Sequence, residues 1–288
     1  MTAFTVLQTG SAIENRIARD SRAADIVIGA KGSPLQLVLS SVYHADIPVG
    51  NIAYADAEKW MKHPHIASAV PLALGDNWHG KRIVGTTRGY ADSYQATIAT
   101  GDWWQKPFEA VAGAAVALNV GDTFAGSHGL SEGGHQHDAQ PYKIVGKLNP
   151  TGGVIDRLIL TSVDSVLLLH GQEAHHHHEG EEHAHEADHD HDHDHDHNHG
   201  HDDTHDRAEA APETPAEITA LLIKTRSPMA IMNLPRSVNR ETALQAVNPA
   251  LEMARLRSVF GVGSKSLVLF SGLLIALAAL SIFAGVAG

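Results

Sequence analysis

The chain has 288 residues, no cysteine and 43% hydrophobic residues, with 21 Lys and Arg against 33 Asp and Glu. The lack of cysteine excludes disulfides and thiolate metal sites. The charge of −12 comes from one stretch, since without the 13 carboxylates of 171–206 there are 21 basic side chains against 20 acidic ones, which leaves no basic footprint for nucleic acid.

The length fits one or two domains. Met1–Gly10 has neither a basic leader nor a long apolar core, so no secretory signal is read there. Phe4–Arg19 carries Leu7, Ile13 and Ile17 at helical spacing and predicts an amphipathic helix. Ala24–Ala30 predicts a short buried strand. Ser33 and Pro34 then supply an N-cap and a first helical residue for a helix to about Tyr43. Ala55–Lys62 predicts a helix ended by Pro64, and Ala67–Leu74 and Arg82–Thr87 predict strands. Trp103, Trp104 and Phe108 precede an alanine-rich stretch, Glu109–Leu118, that predicts a helix. A turn at Gly121-Asp122, a strand near Thr123–Ala125 and a Gly/His loop over Ser127–Ala139 follow. Tyr142–Leu148 and Arg157–Thr161 predict strands around a turn at Pro150–Gly153, and Ser162–His170 predicts a short helix.

Composition then changes abruptly. Fifteen of the 22 histidines fall in His170–His205, and 171–206 holds no Lys or Arg. Such a run has nothing with which to build a core and is expected to be a disordered loop. Beyond it, Glu217–Thr225 predicts a strand, and Met229–Asn239 and Asn248–Phe260 predict helices. Strands on both sides make the run an insertion within one domain. The tail, Leu267–Gly288, carries no charge and is long enough at 1.5 Å per residue to cross a bilayer core of roughly 30 Å.

Four stretches and their order carry a resemblance. They are Asp25–Leu39 (DIVIGAKGSPLQLVL), Asp46–Ile52 (DIPVGNI), Val120–Leu130 (VGDTFAGSHGL) and Asn149–Leu160 (NPTGGVIDRLIL). With EITALLIKTRSP and the apolar tail after them, they resemble the MacB/FtsX-like permease subunits of bacterial ABC transporters over nearly the whole chain. The resemblance implies an α+β fold, a periplasmic core domain on a helical stalk. It divides the chain into a stalk helix (1–23), the core domain in two parts (24–170 and 217–246), the His/Asp-rich loop (171–216), a second stalk helix (247–265) and a transmembrane helix (266–288). Family members have four membrane helices, so the chain is expected to begin after the first and to end with the second, truncated at both ends. Arg255, Arg257 and Lys265 would then lie on the outer side, against the positive-inside tendency. The implied setting is the bacterial inner membrane with the main domain outside. The implied partners are a cytoplasmic ATPase subunit, a second permease copy and membrane lipid. A different class fits the same residues: a membrane-anchored periplasmic metal-buffering protein without transport.

Imidazole and carboxylate are ligands that zinc and similar divalent cations prefer. The candidate ligands in the long run are His175, His176, His177, His178, His183, His185, His189, His191, His193, His195, His197, His199, His201 and His205. Zinc is the expected metal, and copper or nickel fit the same donors. A second set, His128, His135 and His137, sits with Glu132 and Asp138 in a glycine-rich loop and has the composition of one ordered zinc site. His63 and His65 flank Pro64 as a weaker pair, and His44 and His79 read as ordinary packed or surface residues. No catalytic motif is found. Gly261–Ser266 lacks the order of a phosphate loop, there is no HExxH, and no serine has the context of a nucleophile elbow. No nucleotide site is expected in this chain, and ATP hydrolysis is expected in a separate subunit.

Overall fold

The computed structural model describes residues 16–129, 140–176 and 216–258. Thirteen strands are found among them: β1 Ile26–Ala30, β2 Ile52–Ala53, β3 Ile66–Trp78, β4 Lys81–Thr86, β5 Ile98–Gly101, β6 Glu109–Ala112, β7 Thr123–Phe124, β8 Ser127–His128, β9 Tyr142–Leu148, β10 Ile159–Ser162, β11 Glu217–Ile218, β12 Ala220–Thr225 and β13 Leu244–Val247. Five helices accompany them: α1 Pro34–Ser41, α2 Tyr54–Met61, α3 Arg88–Ser93, α4 Val163–His176 and α5 Pro228–Glu241. Helical turns also cover 16–20 and 249–258.

The strands form one mixed sheet in the order β13-β1-β12-β3-β4-β10-β6-β9-β5, with β8 added to β3 and β7 to β9. A small β11-β2 ladder stands apart. The β4–β10 and β6–β9 pairs are parallel, and the other pairs are antiparallel. The fold therefore mixes α and β around a large mixed sheet.

β3 joins the two halves of this sheet. Its first residues pair with β12, from Ile66↔Thr225 to Leu72↔Ala220. Its last residues pair with β4, from Ala73↔Gly85 to Trp78↔Lys81, with a register shift between Leu74 and Asn77. In the first half, alternate residues feed opposite cores. Ile26, Ile28, Leu221 and Ile223 pack with Ala230, Leu234 and Val238 of α5. Val27, Ala220 and Leu222 pack with Leu37 and Val38 of α1 on the other face. With both faces covered, the strands read as unbroken apolar runs, and no polar side chain is needed on either side. Ile17 near the start of the chain, and Met253 and Leu256 near its end, join the α1-side core. The second half curls around its own cluster of Ile83, Ala110, Ala112, Phe124, Tyr142, Ile144 and Ile159.

Most of the predicted elements match within a few residues. Ser33 caps α1 by accepting from Gln36 N at 3.3 Å, with Pro34 at its first position. The strand predicted over Glu217–Thr225 is broken at Thr219. There the N–H donates to Leu72 O at 2.8 Å and Oγ1 accepts from Leu74 N at 2.9 Å, so one residue crosses to β3 between two ladders. The predicted helix Ser162–His170 is longer and runs to His176 as α4. It is capped by Ser162 Oγ, which accepts from Ser165 N at 3.2 Å.

The helix predicted over Glu109–Leu118 does not form. Glu109–Ala112 is β6, held between β9 and β10. Helix propensity is a weak preference of under about 1 kcal/mol per residue, and tertiary packing overrides it here. The alanines are small because they fill the crowded interior beside Tyr142 and Phe124. Gly113 follows because a Cβ there would lie 2.4 Å from Ile155 O and 2.5 Å from Asp156 O. Helix α3 and strands β2, β5, β8 and β13 have no counterpart in the sequence reading, being short and lacking a long period.

Among the described residues no helix is long and apolar enough to cross a membrane. The predicted span, 266–288, lies outside them.

Candidate functional site

The place where histidine chemistry meets the fold is the root of the Gly/His loop. β3 and β4 are joined by a two-residue turn at His79 and Gly80, with φ of 46° and 70°. Two left-handed residues are what a tight hairpin of this twist requires. Asn77, just before the turn, closes it by accepting from Gly80 N at 3.0 Å. Its Nδ2 donates to Ser127 O at 3.1 Å and to Gly129 O at 2.7 Å. Gly129 N donates to Gly75 O at 2.9 Å. One asparagine thus fastens the hairpin and 127–129 together, and β8 lies on β3 with His128 opposite Asp76.

Asp76 is only 3% exposed, and its Oδ1 stands 3.1 Å from His128 Nδ1. The imidazole side chain keeps 37% of its surface in contact with solvent. With the proton on Nδ1, facing this carboxylate, Nε2 is the nitrogen left for a metal. Carboxylate-held histidines of this kind present a fixed, more basic nitrogen to a metal. A cleft of about 180 Å³ adjoins the pair, lined by Ile47, Pro48, Leu74, Asp76, Arg82 and Gly129. The Arg82 guanidinium donates to Asp46 O. Burial lowers it to about 10, opposed by the Asp46 carboxylate. Burial, and then the charge of Asp76, push the Tyr142 hydroxyl above its ordinary value.

Of the predicted loop trio, His128 is brought against a buried acid, while His135 and His137 lie outside the described residues. Of the long run, only the backbone of His175 and His176 is described, at the end of α4. His177, His178, His183, His185, His189, His191, His193, His195, His197, His199, His201 and His205 lie outside. Among the described residues no three or more His, Asp or Glu stand together in an arrangement that would hold a metal ion. His63 Nδ1 accepts from His65 N at 3.3 Å, and the two ring centres stand 5.4 Å apart. His79 packs edge-on against Trp78 with ring centres 4.6 Å apart.

His44 is a packed residue, bound through Nε2 to the Tyr90 hydroxyl at 2.8 Å. The residue as a whole is half-buried, yet its Nδ1 is sealed from solvent without a hydrogen-bond partner. Desolvation first, then the charges of Arg82 and Arg157, lower its pKa to about 3, so the ring is neutral.

Asp76 is the residue that sequence reasoning misses. Its signal is a single acid that follows the apolar run Val70–Leu74 and precedes a hairpin turn (GDNWHG).

No family model matches the chain, and no curated protein matches it. Among solved structures, the periplasmic region of MacB from Actinobacillus actinomycetemcomitans is similar, with a TM-score of 0.44 and 11% identity, over 82% of this chain and 95% of that one. The extracellular domain of the noncanonic ABC-type transporter YknZ from Gram-positive bacteria is similar with a TM-score of 0.41 and 11% identity, over 77% of this chain and 99% of that one.

Proposed function

We propose that the chain is a permease subunit of an ABC transporter of the MacB/FtsX type, and that its histidine-rich run gathers zinc or another divalent cation outside the membrane. The permease part rests on the ordered sequence motifs, which occupy β1 and α1, the approach to β2, the β7–β8 corner and the turn before β10. It is supported by the convergence of Ile17, Met253 and Leu256 on one core cluster, which suits a domain mounted on two terminal helices. An ATPase subunit would supply hydrolysis, and a second permease copy and lipid would complete the path.

The metal part rests on one observation above all. α4 ends in His175 and His176, and the chain re-enters at β11, which pairs with β2 and runs directly on into β12 of the main sheet, so the run issues from within a single folded body. Imidazoles tethered there act at high local concentration. They would bind several cations in exchanging sets of three or four ligands. His128, held by Asp76, would contribute one oriented nitrogen from the second loop.

Calorimetry of the full chain in neutral detergent tests this. Several zinc equivalents should bind near pH 7.5 and be released as pH falls through about 6.5, where free histidine protonates. Fewer than one equivalent would end the metal reading. The permease reading is tested separately by purification from the native membrane. A stoichiometric ATPase subunit should accompany the chain, and its failure to do so would leave a membrane-anchored metal buffer.

A further inference from the structure

A second cleft, of about 490 Å³, has no histidine among its lining residues. Arg19, Arg22, Gln95, Thr97, Asn149 and Thr151 are among its lining residues. Among the described residues its lining has two guanidinium groups and no carboxylate, although the body of the chain is nearly neutral.

Its walls are held firmly. Asp156 accepts from Thr151 N at 2.9 Å, from Thr151 Oγ1 at 2.8 Å and from Gly152 N at 2.8 Å. Asp20 accepts from Val154 N at 3.0 Å and is 2% exposed. Asp20 and Asp156 are therefore spent on backbone donors, and neither they nor the exposed Asp92 beside Ser93 is among the lining residues. Asn149 is tied to Thr97 Oγ1 at 2.9 Å. Gln95 stands in the left-handed region at φ 55°, fixed by its N–H to Asp92 O at 2.9 Å.

Arg19 Nη1 donates to Thr151 O at 2.7 Å, which lays the guanidinium along the wall. The side chain of Arg22 makes no hydrogen bond or ion pair among the described residues, and its carbonyl is held by Lys224 Nζ at 2.5 Å. Arg16 and Arg157 add positive charge around Asp20.

We infer that this cleft is a binding site for a phosphate group, with Arg22 as its main charged donor and Arg19 as its second. A guanidinium fork matches two phosphate oxygens, and charge-assisted hydrogen bonds of this type are about twice as strong as neutral ones. Asn149 and Thr151 spend their side-chain donors within the wall, so the Gln95 amide and the Thr97 hydroxyl supply the remaining donors. The volume exceeds that of a bare oxyanion and leaves room for an attached group. The source of the phosphate is either free inorganic phosphate or the headgroup of an anionic phospholipid.

The test uses the full, metal-stripped chain in neutral detergent, followed by ³¹P line broadening. One arm titrates inorganic phosphate, and the other dopes the micelles with phosphatidylglycerol against phosphatidylcholine. Broadening in the first arm assigns free phosphate, and broadening only with phosphatidylglycerol assigns a headgroup. In whichever arm responds, R22Q should weaken binding about tenfold and R19Q/R22Q about a hundredfold. Q95E, which adds a carboxylate of nearly the same shape, should weaken it at least as much as R22Q, and unchanged circular dichroism would show that the fold is kept. No broadening in either arm, or broadening that the three variants leave untouched, overturns the site.

Discussion

Two histidines with opposite environments show how little the residue type alone decides. His128 is held by the buried carboxylate of Asp76 and remains partly open to solvent. Replacing that carboxylate by D76N keeps the shape but withdraws the negative charge that faces Nδ1. Second-shell losses of this kind cost about 10- to 100-fold in metal affinity. The expected outcome is that zinc still fills the long run while the ¹⁵N signals of the His128 ring, identified with H128Q, no longer shift on zinc addition. Equal shifts in D76N and the unmodified chain would show that Asp76 only staples β8 to β3.

His44 has its ring nitrogen sealed and a pKa lowered to about 3. In the unfolded chain its pKa returns to about 6.5. Between those values the unfolded state binds the extra proton, so stability is complete above about 6.5 and falls as pH drops toward 3. This group contributes a slope of up to about 1.4 kcal/mol per pH unit. Urea unfolding at pH 7 and pH 5 should show the loss in the unmodified chain and a flatter profile in H44N, asparagine being chosen because it tolerates the φ of 50°.

At the scale of elements, legibility follows the range of the forces involved. α1 is visible in the sequence because its start is a local device, Ser33-Pro34, that acts within one turn, and in the structure Ser227-Pro228 starts α5 in the same way. β1 and β12 are visible because burial on both faces leaves unbroken apolar runs. β6 is not. Its alanines look helical in isolation, and the reason for their size lies in Tyr142, Phe124 and the carbonyls of Ile155 and Asp156, which arrive from 12 to 46 residues away. G113A should therefore be costly despite its small size. The new methyl would meet backbone atoms that cannot swing aside, and a loss of about 3 kcal/mol or more is expected in chemical denaturation. A loss under about 1 kcal/mol would mean that the turn after β6 yields easily. The pairing of Asp76 with His128 was hidden for the same reason, since only the register of β8 on β3 brings them together.

For the whole molecule, the charge and histidine inventory divides sharply from the folded body. Replacing the histidines of 177–205 by glutamine should leave the metal-free melting temperature within about 2 °C, because a polar insertion contributes little packing. The same variant should lose most bound zinc by calorimetry. A large drop in melting temperature would instead make the run part of the scaffold. The two-sided sheet was legible in outline from motif order, but its division of labour was not, because nothing in Ile66–Trp78 announces that one strand serves two halves. That double membership governs cooperativity. β3 extends about 43 Å at 3.3 Å per residue, and it supplies ladder partners to β12 on one half and to β4 and β8 on the other. Neither half can melt and leave its neighbour a closed edge, so amide protons on β3 should exchange only when everything opens at once.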